Sequence, residues 1–278
     1  MRKKILLCES LASALEISGL KSMFFKSANG PGADDTSIRL ELIVPAWLIL
    51  GVAAAMLGWG AAFGAWYGMT HPPGAFYLLF TDRVFLINGV FQGSALAAFL
   101  FYLHRQGWKP ADFRIRLGVI TTLSGLGLLA VTYGGFFALA ELSRFVVWIL
   151  APTPDGWIAG LFIPRHVPIP PGAIHITWIV AVVFMVLNAF YEEIVYMGYG
   201  FNLWAAKYGP RTAVLLSILA RLVVHTYQGT EHILPIALWA TIFGLWYRYH
   251  RAVWPLILAH MMIDLISIGQ LKVLYGSH

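Results

Sequence analysis

Asn188-Ala-Phe-Tyr-Glu-Glu-Ile-Val-Tyr-Met-Gly-Tyr-Gly200 is the stretch of sequence that decides the fold. It places two adjacent carboxylates, those of Glu192 and Glu193, inside a long apolar segment that begins near Ile174. An acid in hydrocarbon costs several kcal/mol, and intramembrane acids usually line a cavity or mark a functional site. Two adjacent acids in such a segment therefore indicate a functional site inside a membrane domain.

A regular α-helix would turn the two carboxylates to different faces, because successive residues are about 100° apart around the axis. Glu192 would share its face with Asn188 and Tyr196, and Glu193 would share its face with Met197. The sequence therefore predicts that each acid has its own partner. The other membrane segments supply three candidates for that role: His225, His260 and Asp264.

The composition indicates a polytopic membrane protein. Of the 278 residues, 59% are hydrophobic and 12% are charged, and the mean hydropathy is +0.72. A soluble domain carries about 25% charged residues, twice the share found in this chain. The formal net charge of +6 is therefore assigned to loops and lipid headgroups, and nucleic acid is not expected as a partner. The single cysteine, Cys8, excludes an internal disulfide and a thiolate metal cluster.

Apolar runs of about 20 residues predict an all-α bundle of about seven transmembrane helices. An eighth, partial span within 141–173 is the alternative. The seven predicted spans lie at about 43–67, 84–103, 117–140, 174–198, 212–227, 233–247 and 253–273.

Two domains are expected: a cytosolic or interfacial segment at 1–40 and a transmembrane helical domain at 41–278. Lys and Arg are concentrated before the first span and in alternate loops, which places the N-terminus in the cytoplasm. The chain is therefore expected to be an integral membrane protein of a bacterial inner (plasma) membrane. Membrane lipids and a peptide or protein substrate are its expected partners.

Ionisable residues recur in three of the last four predicted spans. The fourth span holds the Glu192–Glu193 pair. Arg221 and His225 are four residues apart in the fifth span, and the same spacing puts His260 and Asp264 on one face of the seventh. A single intramembrane His is usually a structural hydrogen-bonding residue. The combination in adjacent spans favours a functional pocket.

The three motifs together resemble the CPBP family, the glutamate-type intramembrane endopeptidases related to the type II CAAX prenyl protease. They read Glu192-Glu193-Ile-Val-Tyr-Met-Gly198, Arg221-Leu-Val-Val-His225 and His260-Met-Met-Ile-Asp264. Their order and spacing agree with the family over residues 174–268, which form the expected protease-like core.

Two positions depart from the family pattern. The first motif usually has Arg where this chain has Met197, and the second usually has Phe where this chain has Arg221. A buried ionised carboxylate requires compensation, so Arg221 is expected to supply the charge that Glu193 loses. The alternative is a degenerate, inactive member of the family.

The resemblance implies that Glu192 and His225 activate a water molecule, and that His260 and the Asp264 position polarise the scissile carbonyl. An ionised Asp cannot donate a hydrogen bond, so Asp264 is expected to orient His260 instead. Glu193 belongs to the same catalytic set, with Tyr196 and Arg221 as supporting residues. The resemblance implies no metal, although two Glu and two His could also bind zinc.

The leading hypothesis is thus an intramembrane endopeptidase acting on a membrane-associated or C-terminally tagged substrate. A non-proteolytic scaffold or immunity protein of the same family and an ion- or proton-coupled carrier are the alternatives. One geometric tension remains, because the predicted spans put His225 near the outer end of span five and Glu192 closer to the inner side. A fourth span that continues as helix through 202–206 would reduce the conflict.

Overall fold

The computed structural model describes residues 66, 70, 80–105, 107–150, 174–228 and 232–275. The predicted N-terminal segment at 1–40, nearly all of the first predicted span and residues 151–173 lie outside this part of the chain. Within it the regular elements are helices, and the one strand-like contact is an isolated bridge between Thr81 and His175. The predicted all-α class is confirmed for these residues.

In the described residues six helices form the bundle, with short 3-10 turns at Pro110–Phe113 and Thr226–Gln228. The third is continuous but changes its winding, from α-helix at Trp178–Glu192 to π-helix at Glu193–Phe201 and back to α-helix at Asn202–Tyr208. The helices are α1 at Asp82–Arg105, α2 at Val119–Leu150, α3 at Trp178–Tyr208, α4 at Pro210–Val224, α5 at Ile233–His250 and α6 at Trp254–Tyr275.

In the described part of the chain, four segments are long and apolar enough to cross a membrane: Asp82–Arg105, Val119–Ser143, Trp178–Tyr208 and Trp254–Tyr275. The outer faces of α1 and α2 carry large exposed apolar side chains, as expected of helices that face lipid. Examples are Ile87, Val90, Val119, Ile120 and Phe137. An integral membrane protein is therefore supported, while a total of seven or eight spans is not tested by the described ranges.

Several helix boundaries differ from the predicted spans. Helix α2 continues to Leu150, and α3 continues to Tyr208, where Gly209 with φ +83° and then Pro210 separate it from α4. Helix α4 has 15 residues. It is thus about 22 Å long, shorter than the roughly 30 Å hydrocarbon core.

The π segment of α3 lies in the centre of the bundle, since all nine of its residues are buried. Its neighbours in the apolar core come mainly from α4, α5 and α6, and include Val214, Phe243, Tyr247, Leu256 and Ile257. This packing places Glu193 at the start of the π segment beside the helices that carry the second and third motifs.

Helix α6 is positioned by close packing against α2. A Cβ on Gly125 would lie 3.1 Å from the Pro255 carbonyl oxygen and 3.0 Å from Leu258 Cδ2. The absence of a side chain at this position lets the two backbones approach closely. His260 and Asp264 follow directly along α6, so this contact sets the depth at which they enter the bundle.

Candidate active site

The winding of α3 changes at the two acids. Glu192 is the last residue of the α-helical part, and Glu193 is the first residue of the π-helix, in which each turn holds more residues than in an α-helix. The assignment of faces at 100° per residue therefore does not apply beyond Glu193. Single π turns inside α-helices occur frequently at functional sites.

The two carboxylates share one cation. Arg221 Nη2 donates to Glu193 Oε1 at 2.6 Å and to Oε2 at 2.7 Å, and both side chains are fully buried. Arg221 Nη1 lies 3.6 Å from Glu192 Oε2. The predicted contact between Arg221 and Glu193 is confirmed, and the prediction of a separate partner for each acid is wrong. The guanidinium has two terminal nitrogens, so one side chain serves both acids.

Glu193 has a second donor in His260. The His260 Nδ1–Glu193 Oε1 distance is 2.8 Å, and because the carboxylate accepts, Nδ1 carries the hydrogen. His260 Nε2 lies 3.5 Å from Asp264 Oδ2. Asn188 Nδ2 donates to Asp264 Oδ2 at 3.3 Å, and Gln92 Nε2 donates to Asn188 Oδ1 at 2.9 Å. A continuous polar chain therefore runs from α1 through α3 and α6 to the acid pair.

His225 ends α4 and is buried. Its Nδ1 lies 2.8 Å from the Arg221 carbonyl oxygen, which can only accept, so Nδ1 is the donor and Nε2 is the acceptor of the neutral ring. His225 lies within electrostatic range of Glu192 and His260. The predicted spans had placed His225 and Glu192 at different depths. Because α4 is short and α3 continues to Tyr208, His225 is instead buried inside the bundle, and this conflict is removed.

Trp239 of α5 joins the parts of the site. Its ring is 4.7 Å from the His260 ring and 5.6 Å from the His225 ring, both edge-on, and the Arg221 Cζ lies 4.4 Å from it. Sequence reasoning missed this residue. The available signal was a Trp in the middle of an apolar run, since Trp usually lies near the membrane–water interface.

Four further residues lie in or near this cluster, some of them predicted as site residues and some not. Tyr196 is buried in the π segment, within electrostatic range of Glu192 and Arg221. Met197 is fully buried in the apolar core. Asn188 and Gln92 were not predicted as site residues. Their signal was the presence of carboxamides inside predicted spans, one of them four residues before Glu192.

Several buried polar atoms at the site have no hydrogen-bond partner among the residues that the structure describes. They are Glu192 Oε2, Arg221 Nε, Arg221 Nη1 and Trp239 Nε1. Buried polar groups are nearly always satisfied, and exceptions mark a role in function or a bound molecule. One acceptor and three donors at one place can hold a polar substrate group together with a water molecule.

No three side chains of His, Cys, Asp or Glu are grouped to hold a metal ion in the ranges that the structure describes. The nitrogen of His260 that faces Glu193 is a donor in this arrangement. The interactions of Glu193 are thus accounted for by Arg221 and His260.

The fold and the site define a membrane-embedded helical protein with a buried acid–base cluster. Residues 173–266, about a third of the chain, match the family model for type II CAAX prenyl endopeptidase Rce1-like proteins. This match confirms the resemblance to the CPBP family that the three motifs indicated. No curated protein and no solved structure matches the chain.

Removing the shared cation tests the pairing. We expect Arg221→Leu to lower the free energy of unfolding by about 3–5 kcal/mol, because buried carboxylates then lack their counter-charge. Unfolding in detergent, followed by circular dichroism, measures the change. Arg211→Leu is the matched control, since Arg211 is an exposed residue on the same helix and its loss should change stability by about 0.5 kcal/mol or less.

The exchange of positions is tested by the family arrangement. The double variant Met197→Arg, Arg221→Phe should recover most of the stability that Arg221→Phe loses. Met197→Arg alone should also be destabilising, because it adds a second cation to the buried site. A double variant no more stable than Arg221→Phe would show that position 197 cannot replace Arg221.

Proposed function

We propose that the chain is an intramembrane endopeptidase that hydrolyses a peptide bond of a membrane-associated or C-terminally tagged substrate. The observation that carries the proposal is the buried Glu192 Oε2, which lies 3.6 Å from Arg221 Nη1. Neither atom has a hydrogen-bond partner in the described part of the chain. Hydrolysis requires a base for the attacking water and donors for the developing oxyanion, and both are present at this position.

The two acids differ in the number of hydrogen bonds that they accept from protein side chains. Glu193 accepts from Arg221 with both oxygens and from His260 with one. Glu192 has a looser contact with the same arginine. In the proposed reaction Glu193 holds Arg221 and His260 in place, and Glu192 is the base that takes the proton of the attacking water.

His225 completes the proton transfer. Its Nδ1–H is directed to the Arg221 carbonyl oxygen, which leaves Nε2 in the acceptor form required to receive a proton. In the proposed reaction, the proton that Glu192 takes from the water passes to His225 Nε2. The protonated ring then donates it to the leaving amine, which returns Glu192 and His225 to their starting forms.

The oxyanion donors in this proposal are Arg221 Nη1 and Trp239 Nε1. His260 donates to Glu193 through Nδ1, and Asp264 accepts from Asn188, so neither directs a donor toward a substrate carbonyl through these contacts. Arg221 Nη1 lies 3.6 Å from Glu192 Oε2, and the Trp239 ring lies edge-on to both histidine rings. Among the described residues, neither Arg221 Nη1 nor Trp239 Nε1 has a hydrogen-bond partner. Asp264 then orients His260, while the cation and the indole N–H polarise the carbonyl.

Glu192→Gln tests the base. The amide keeps the shape of the side chain but cannot accept the proton, so cleavage should be abolished while the unfolding midpoint stays close to that of the wild type. The assay follows a library of membrane-anchored peptides in proteoliposomes by mass spectrometry. Glu141→Gln, an exposed position on α2, should cleave as the wild type does.

Full activity of Glu192→Gln would remove Glu192 from the mechanism. Absence of any cleavage by the wild type and Glu141→Gln, with prenylated and unprenylated libraries, would favour the non-proteolytic scaffold.

Trp239→Phe tests the indole donor. Phenylalanine keeps an aromatic ring against Arg221 but lacks the N–H, so kcat should fall about 10²-fold with KM nearly unchanged. Trp246→Phe is the matched control, because Trp246 Nε1 is also buried without a partner, but its ring stacks on His250 at 3.6 Å. Equal losses in the two variants would indicate a general effect of removing an indole.

A further inference from the structure

A second polar cluster lies at the end of the bundle where α1 joins α2, α3 joins α4, and α5 joins α6. These connections, taken as residues 105–118, 202–211 and 248–254, contain eight Lys or Arg and one acid, Asp112. Asp112 Oδ2 accepts from the Lys109 backbone N–H at 2.7 Å. The end of the bundle is therefore strongly basic, and its one acid has a local partner.

Arg251 is a partly buried cation of this cluster. Its guanidinium donates to Asn202 Oδ1 and lies over the rings of Phe201 and Tyr247, at 5.1 Å and 5.9 Å from their centroids. No carboxylate of the described residues contacts it. Burial, chiefly, and the nearby charge of Arg114 hold the pKa of Arg251 below its ordinary value.

Arg114 is brought to the same place by packing on α3. A Cβ on Gly198 would lie 3.0 Å from the Phe113 ring and 3.5 Å from Val253 Cγ2, so the segments carrying the two arginines meet at one glycine. Arg114 lies within electrostatic range of both Arg251 and Tyr247. Within the described ranges it forms no hydrogen bond or ion pair.

Both arginines also have an unfavourable backbone conformation. Arg114 has φ 48° and Arg251 has φ 53°, and no other non-glycine residue of the described part has a positive φ. Arg251 takes this conformation as the C-cap of α5, with its backbone N–H donating to the Tyr247 carbonyl oxygen at 2.9 Å. The left-handed region costs about 1 kcal/mol or more for an ordinary side chain. The two positive charges repel each other, and an anion bound by both arginines would remove this repulsion.

We propose that Arg114 and Arg251 bind a phosphate group, supplied by an anionic phospholipid of the surrounding membrane. Guanidinium groups bind phosphate oxygens with paired, charge-assisted hydrogen bonds. Basic pockets between membrane helices bind anionic headgroups. The rings of Phe201 and Tyr247 pack beside the Arg251 guanidinium, and the contacts of Arg251 do not include Glu192 or Glu193.

The proposed lipid site is connected to the π segment through Asn202. The Asn202 Nδ2 group donates to the Gly198 carbonyl oxygen at 2.7 Å and to the Tyr247 hydroxyl at 2.9 Å, while its Oδ1 accepts from Arg251. Asn202 is the first residue after the π-helix. A phosphate that fixes Arg251 therefore also fixes the end of the segment that begins at Glu193.

The test uses the full chain in nanodiscs of phosphatidylcholine with increasing phosphatidylglycerol, with bound lipid counted by native mass spectrometry and unfolding followed thermally. The wild type should retain a phosphatidylglycerol molecule and unfold at higher temperature as its fraction rises. Arg114→Gln keeps the Arg251–Asn202 contact and should weaken this binding about tenfold or more. Arg251→Gln should do the same.

Arg248→Gln is the matched control, because Arg248 lies at the same end of the bundle over the Tyr249 ring. Its binding should change less than that of Arg114→Gln. Equal phosphatidylglycerol binding by the wild type and Arg114→Gln would overturn the proposal. Inorganic phosphate that stabilises the protein in pure phosphatidylcholine, and displaces phosphatidylglycerol, would overturn the lipid source.

Discussion

Two adjacent carboxylates buried in an apolar bundle need a cation that both can reach, and Arg221 is that cation. One of its terminal nitrogens bonds both oxygens of Glu193, and the other faces Glu192. Breaking a buried pair costs about 3–5 kcal/mol, so the positions of α3 and α4 are coupled through this contact. The aromatic ring of Trp239 packs on the same guanidinium and brings α5 into the arrangement.

The shared arginine also makes the two acids chemically different. Glu193 is held by Arg221 and His260, whereas Glu192 Oε2 has no hydrogen-bond donor within the described ranges. A base must be accessible to the proton that it receives, and a positioning residue must be fixed. Glu192 can therefore serve as the base, and Glu193, the next residue of the same helix, as the fixed positioning residue. In the proposed mechanism, the change from α- to π-winding between them allows both to face one cation.

Much of the site could be predicted from the sequence because its residues come in short motifs on helices. The spacing of His260 and Asp264 put both on one face of α6. Because Met197 replaces the arginine that is usual in the family, Arg221 was expected to contact Glu193 in its place. The shared cation could not be predicted, because it depends on the π-helix. The winding of a helix is decided by packing around it, and a regular α-helix was the only local expectation.

The role of Trp239 and the ends of α2 and α3 could not be predicted from the sequence, because they too depend on packing between helices. From the sequence, a Trp in an apolar run is interpreted as a core residue. Its contacts with His225 and His260 are known only from the structure. Apolar runs mark the part of a helix that lipid surrounds, but α3 continues to Tyr208, where Gly209 and Pro210 separate it from α4. The domain boundaries and the orientation in the membrane remain predictions.

A double-mutant cycle on Arg221 and Glu193 tests the central pairing most directly. The variants Arg221→Met, Glu193→Met and the double replacement are compared by their free energies of unfolding in the same detergent. If the pair is the buried contact described here, the double variant should be more stable than Arg221→Met, with a coupling energy of about 1–3 kcal/mol. Effects that add to within about 0.5 kcal/mol would contradict the account, because they would show that the two side chains do not interact.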